Sequence, residues 1–121
     1  METITTTIKW IKTAAVKEFP TNGGAAVLVN DIQIAVFNFT DEDRWYAVQN
    51  RCPHKGEMAI SRGLTGDSEG HPKVACPFHK KTFSLEDGHC LTDEQYHLKI
   101  FPVKVEEGDV YIGIEEWINK R

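Results

Sequence analysis

Two short motifs, Cys52-Pro53-His54 and Cys76-Pro77-Phe78-His79, separated by 21 residues, constrain this chain more than any other feature. Each supplies one thiolate and one imidazole, donors that suit a metal site. In each, a proline after the cysteine fixes φ and removes an amide, and Gly56 lets the first loop turn tightly beneath its imidazole. The loops are therefore stiff before metal arrives. Equal division of sulfur and nitrogen between two loops suits a binuclear site, with both thiolates on one metal and both imidazoles on the other. A zinc site more often draws two sulfurs from one C-x₂₋₄-C knuckle and its histidines from an H-x₃₋₅-H helix, yet the donor set leaves zinc open. Two buried cysteines beside two surface histidines, with no metal at all, is the plainer alternative.

The third cysteine, Cys90, makes an odd number, and three are too few for a disulfide framework. That usage fits a reducing cytoplasm, and Cys90 itself reads as a small buried hydrophobe without a chemical role. His71, His89 and His97 lie outside both motifs and read as surface or hydrogen-bonded structural groups.

At 121 residues with 40% hydrophobic content, the chain supports one core, and residues 1–121 are expected to form a single domain. A net charge of −4 argues against a binder of phosphate backbones, so no nucleic-acid partner is expected. The first seven residues lack a basic region followed by an apolar stretch, and apolar runs such as residues 25–29 are only strand-sized. No membrane association is expected, and the protein is read as soluble and cytoplasmic.

Strand signals dominate. Residues 25–29 meet Asn30-Asp31 and then residues 32–37, where Ile32, Ile34 and Val36 alternate at period two, which reads as a hairpin. Residues 44–48 form a further strand candidate after a polar turn at residues 40–43, and lead into the first motif. Residues 103–105 and 110–114 flank a Gly-containing turn at residues 106–109 as a second hairpin. Glu18-Phe19 and the tail at residues 115–121 could each form a helical turn. Residues 51–91 hold most of the Gly, Pro, His and Cys with weak periodicity, so loops held by a metal site rather than by hydrophobic burial are expected there.

Cys-Pro-His-Lys-Gly at residues 52–56, with Cys-Pro-Phe-His-Lys at residues 76–80, resembles the Rieske signature C-x-H-x(n)-C-x-x-H. The resemblance implies an all-β Rieske iron–sulfur fold of stacked antiparallel sheets, with a cluster-binding loop subdomain at about residues 50–91. It also implies a [2Fe–2S] cluster held by Cys52, His54, Cys76 and His79. High-potential members carry an extra cysteine in each loop, joined as a disulfide, where this chain has Glu57 and Phe78. They also supply Ser and Tyr hydroxyls at places occupied here by Lys81 and Phe83, so a lower potential is expected.

The segments at residues 60–67, 73–77 and 83–91, and the long turn at residues 66–72, are similar to the small subunit of assimilatory NAD(P)H nitrite reductase. That resemblance runs from about Trp10 to Ile114. It implies an electron-transfer or accessory subunit that is not catalytic alone, partnered by a large subunit carrying sirohaem and FAD that reduces nitrite to ammonium. No G-x-G-x-x-G appears here, which agrees with catalysis residing in the partner. Two alternatives remain: a Rieske-type ferredoxin of a ring-hydroxylating dioxygenase, and a structural assembly subunit whose cluster only stiffens the loops. Arg51, Lys55, Arg62, Lys73, Lys80 and Lys81 crowd the two ligand loops with Glu57 as the single acid, a local excess of +5 in an acidic chain. That collar reads either as compensation for an anionic cluster or as a docking rim.

Overall fold

The computed structural model describes residues 3–39, 44–53, 56–68, 70–78 and 81–120, with side chains for residues 8–39, 44–53, 56–67, 70–78 and 81–114. Ten strands account for most of it: β1 (Thr3–Ala15), β2 (Gly23–Val29), β3 (Ile32–Phe39), β4 (Arg44–Gln49), β5 (Leu64–Ser68), β6 (His71–Ala75), β7 (Thr82–Ser84), β8 (Ile100–Phe101), β9 (Val103–Glu106) and β10 (Asp109–Lys120). They form three sheets of order β1-β10-β9, β2-β3-β4-β8 and β5-β6-β7, and among the described residues neighbouring strands pair antiparallel. Among the described residues the helical elements are two 3₁₀ turns, Val16–Glu18 and Ile60–Arg62.

Two-residue turns set the register. Asn30 and Asp31 both take positive φ, 50° and 66°, and close Val29 onto Ile32. Glu107 and Gly108, at φ 51° and 79°, do the same between β9 and β10. Two successive left-handed residues match the right-handed twist of the strands, and Asn, Asp and Gly tolerate them best. Both hairpins expected from the sequence form here, and the strand expected at residues 44–48 is β4. The turn expected at residues 40–43 lies outside the described residues.

β3 is buried on both faces, which makes its sheet the middle layer. Ile34 and Val36 enter one core with Ala47 of β4 and Val110 and Ile112 of β10. Ala35 and Phe37, on the opposite face by strand period, enter a second core with Ile60, Val74, Phe83 and Leu98. That second core contains Cys52, Cys76 and Cys90 as well. Each large apolar side chain removed from water in this way contributes about 1.5–3 kcal/mol.

Two expectations are corrected. The tail does not form a helical turn: β10 runs through Lys120 and pairs with β1 from Ala15↔Asp109 to Thr3↔Lys120, with one register shift between Lys12 and Ala14. β-branched Thr and Ile in β1 and Trp117 and Ile118 in β10 favour strand, and a long ladder outweighs the acid-before-base helical signal of the tail. Glu18 does sit in a 3₁₀ turn, its Oε2 accepting the Ala15 N–H at 3.0 Å.

The region at residues 51–91 is also more than loops held by metal. It contains the β5-β6-β7 sheet and contributes fully buried Ile60, Val74 and Phe83 to the second core, shared with β3 and β4. Residues 66–72, expected as one long turn, are mostly strand, paired Gly66↔Lys73 to Ser68↔His71 around a short reversal at Gly70, φ 86°. Gly66, on the edge strand β5, and Pro72, second residue of β6, hid those strands because both punctuate a sequence pattern, yet neither interrupts the ladder here.

Candidate metal centre

Cys52 and Cys76 hold matching positions, each directly after a residue that pairs back across its own hairpin. Arg51 bridges Met58 below the first and Ala75 pairs with Thr82 below the second, leaving residues 52–57 and 76–81 as tips of equal length. Each cysteine closes its own loop in the same way: the Cys52 N–H donates to the Glu57 carbonyl at 2.8 Å, and the Cys76 N–H donates to the Lys81 carbonyl at 2.9 Å. In the first loop the Gly56 N–H also donates to the Cys52 carbonyl at 2.7 Å, with Gly56 at φ 86°. That conformation is where a glycine is needed, as the sequence suggested.

Both thiols point inward. Cys52 is 0% and Cys76 1% exposed; neither is in a disulfide, and they share one apolar cluster. Two thiols outside any disulfide, walled from water at matching positions of paired loops, fit a group that takes two thiolates on one iron. His54 and His79, with Lys55 and Lys80, lie outside the described residues. Cys90 is buried at 2% in the same core, its Sγ 3.4 Å from the Thr92 hydroxyl, as a small hydrophobe. The positions where high-potential members have their disulfide hold Glu57 and Phe78, the latter 55% exposed.

A residue that sequence reasoning missed holds the first loop at its base. Asn50, 1% exposed, donates from its backbone N–H to the Gln33 carbonyl at 3.1 Å and from Nδ2 to Gln33 Oε1 at 2.9 Å. Its carbonyl accepts the Ala59 and Ile60 N–H groups, each at 3.1 Å, and its Oδ1 accepts the Ser61 N–H at 2.7 Å. The one available signal was an amide residue just past the end of β4, two residues before Cys52.

The basic collar divides. Arg51 and Arg62 are exposed, and the Arg62 guanidinium lies 5.6 Å from the centre of the Phe78 ring. Lys81 is engaged, its Nζ 3.3 Å from Asp93 Oδ2 and 5.8 Å from the centre of the Tyr96 ring. The Gln95 side-chain hydrogen bond, aided by Lys81, holds the Asp93 carboxyl below its ordinary range. The remaining histidines are exposed: His71 Nδ1 meets Glu86 Oε1 at 2.8 Å, His89 meets Asp87, and His97 bridges His89 across the backbone. They are surface and hydrogen-bonded groups, as expected.

Residues 9–113 match the Rieske-like [2Fe–2S] domain family. The chain is 31% identical over 104 residues to the nitrite reductase (NADH) small subunit of Escherichia coli K12, covering 86% of this chain and 96% of that one. It is 34% identical over 119 residues to the nitrite reductase [NAD(P)H] of Emericella nidulans, where the match takes 84% of this chain but spans only 11% of the fungal protein. A 3-phenylpropionate/cinnamic acid dioxygenase ferredoxin subunit from Photorhabdus laumondii is 37% identical over 105 residues, covering 84% of this chain and 90% of that one. Among solved structures, a chain assigned as the NADH-dependent nitrite reductase small subunit of Mycobacterium tuberculosis superposes with a TM-score of 0.83 at 32% identity, covering 89% of this chain and 96% of that one. Among the described residues no helix is long and apolar enough to cross a membrane. With paired cysteine loops on a three-sheet antiparallel frame and these relatives, the chain belongs to the Rieske-like [2Fe–2S] domain family, among the nitrite reductase small subunits.

Proposed function

We propose that residues 1–121 form one Rieske domain that holds a [2Fe–2S] cluster, with Cys52 and Cys76 on one iron and His54 and His79 on the other. In this reading it serves as the electron-transfer subunit of a cytoplasmic NAD(P)H-dependent nitrite reductase. The observation that carries the reading is the pair of buried cysteines, neither in a disulfide, whose amides close two like loops in the same way. When bound, the cluster supplies one-electron transfer at low potential. The chain's own residues do the rest. Cys52 and Cys76 lie where water is excluded, the Cys52 and Cys76 amides close the loops, and Arg51 and Arg62 present positive charge beside them.

Nitrite reduction itself belongs, on this reading, to a large partner subunit with sirohaem and FAD. Support comes from the fungal relative, where a nitrite reductase carries a matching domain within one long chain. Covalent union in one lineage fits a close functional partnership between separate chains in another.

Anaerobically purified protein is expected to contain two irons and two sulfides per chain and to give a Rieske-type EPR spectrum when reduced. His54→Ala or His79→Ala should abolish that spectrum, and stoichiometric zinc in place of iron would refute the reading. The 37% identity to a dioxygenase ferredoxin subunit favours a second reading, in which the same cluster feeds a ring-hydroxylating oxygenase. Co-purification decides between them: retention by the large nitrite reductase subunit supports the first, and retention by an oxygenase the second.

A further inference from the structure

Asn50 precedes the first ligand motif by two residues, yet its contacts all lie at the base of the loop. On one side, its N–H and Nδ2 donate to the carbonyl and Oε1 of Gln33, which is in β3. On the other, its carbonyl and Oδ1 take the amides of Ala59, Ile60 and Ser61, three consecutive residues at the point where the chain leaves the loop. One residue thus joins the strand entering the loop, the turn leaving it and the middle sheet. Reversing the side-chain amide would set an N–H against the Ser61 N–H, so the network admits one orientation.

The consequence concerns the cluster more than the fold. A flexible ligand loop would expose a buried thiolate to water and let the sulfur leave the metal, and a loop fixed at both ends resists this. Partners beyond the ligands are known to act on metals in this way, by holding ligands in orientation. We propose that Asn50 is a positioning residue for the iron–sulfur site: by tying its own backbone and residues 59–61 to β3 it fixes the chain beside Cys52, and thereby governs cluster retention and the symmetry of the iron environment. The inference rests on the cluster reading above.

Four full-length proteins test it, each purified anaerobically: wild type, Asn50→Ala, Gln33→Met and Val110→Ala. Val110→Ala opens the other core, away from the cysteines, and serves as a control for stability lost without loosening the loop. Iron release to a chelator is followed well below all melting temperatures, together with the EPR spectrum of each reduced protein. Asn50→Ala should release iron at least about tenfold faster than wild type and shift its EPR g-values, as loss of an orienting partner does at other metal sites. Gln33→Met removes only the acceptor of Nδ2, on an exposed side chain that the fold should tolerate; release about threefold faster is expected, the size of one modest hydrogen bond. Val110→Ala should melt earlier yet release iron at the wild-type rate with an unchanged spectrum. Equal release from Asn50→Ala and Val110→Ala, with both spectra unchanged, would overturn the inference. Should Asn50→Ala fail to accumulate, a wild-type release rate and spectrum in Gln33→Met would overturn it as well. A wild-type protein without iron would overturn the cluster reading instead, and this inference with it.

Discussion

Phe83 is fully buried at 0% exposure and brings no hydroxyl to the core that holds the cysteines. Glu57 and Phe78 likewise leave the two ligand loops without a disulfide between them. Hydrogen bonds to cluster sulfur withdraw electron density and raise the potential, so their loss lowers it. The midpoint is expected toward the low end of the Rieske range, at about −150 mV, and a spectroelectrochemical titration giving a value well above zero would contradict this account. Neighbouring positive charge pushes the other way, but Arg51 and Arg62 are exposed and water screens them. Cys90 allows a different check. Its sulfur lies in the same core, beside the Thr92 hydroxyl, so Cys90→Ser buries a polar atom while leaving both ligand cysteines in place. It should cost about 1–3 kcal/mol of stability in urea unfolding and keep the EPR spectrum, whereas loss of the cluster in a folded protein would assign Cys90 a role in the site.

At the scale of elements, the turn at residues 85–88 joins β7 to the segment bearing Cys90, and Gly88 there is at φ 85°. A Cβ on Gly88 would stand 2.1 Å from the Leu98 carbonyl oxygen, whereas one on Gly108, at φ 79°, would meet nothing within 4 Å. Gly108→Ala should therefore cost about 1 kcal/mol, the strain of a left-handed residue alone. Gly88→Ala must also move backbone and should cost several times as much, which thermal melts of the two variants would show. Asp87 in the same turn accepts the His89 N–H at 3.0 Å, and that bond, with the His89 ring, holds its carboxyl below the usual value of 3.8. A depressed carboxyl stabilises the fold above its unfolded value, and the gain is lost as pH falls through the folded one. Exposure keeps the gain small, so Asp87→Asn should lower the urea midpoint slightly at pH 7, and the difference should shrink as pH falls below 3.8. These turns were partly legible beforehand. Asn30-Asp31 and Glu107-Gly108 announced their hairpins because a two-residue reversal needs left-handed residues, a local demand that sequence displays. The pairing of β1 with β10 was not legible, because it joins chain segments about a hundred residues apart and the Thr run carries no period-two contrast. For β3, the alternation of Ile34 and Val36 gave one face, but Ala35 and Phe37 bury the other, and only a third layer makes that necessary. Cys52 and Cys76 stood out by chemistry, while Asn50 did not, because its place in the fold lies in five hydrogen bonds to residues distant in sequence.

For the whole molecule, stacking three sheets puts Cys52 and Cys76 on one face of the middle sheet and the β1-β10 core on the other. The charge follows the same division, since the ligand loops are basic within a chain of net charge −4. An acidic surface on the large subunit would orient encounter with that end, and the gain in rate should fade as salt shortens the Debye length to about 8 Å near 0.15 M. The structure decides which charges can report on this. Lys81 is tied to Asp93 at 3.3 Å, so reversing it would break an ion pair beside the second loop and mix docking with loop stability. Arg51 and Arg62 are exposed and serve as cleaner probes, although Arg62 also covers Phe78. Arg51→Glu combined with Arg62→Glu should slow association with the large subunit about tenfold or more at low salt and flatten its salt dependence. Iron content should not change, because neither arginine is a proposed ligand. A separate Arg62→Gln variant removes the contact with Phe78 without reversing charge; if it slows association as much as the double reversal does, packing against the ring rather than steering is responsible. Stopped-flow association at several salt concentrations measures both, and an unchanged rate and slope in the double variant would place docking on another face of the domain.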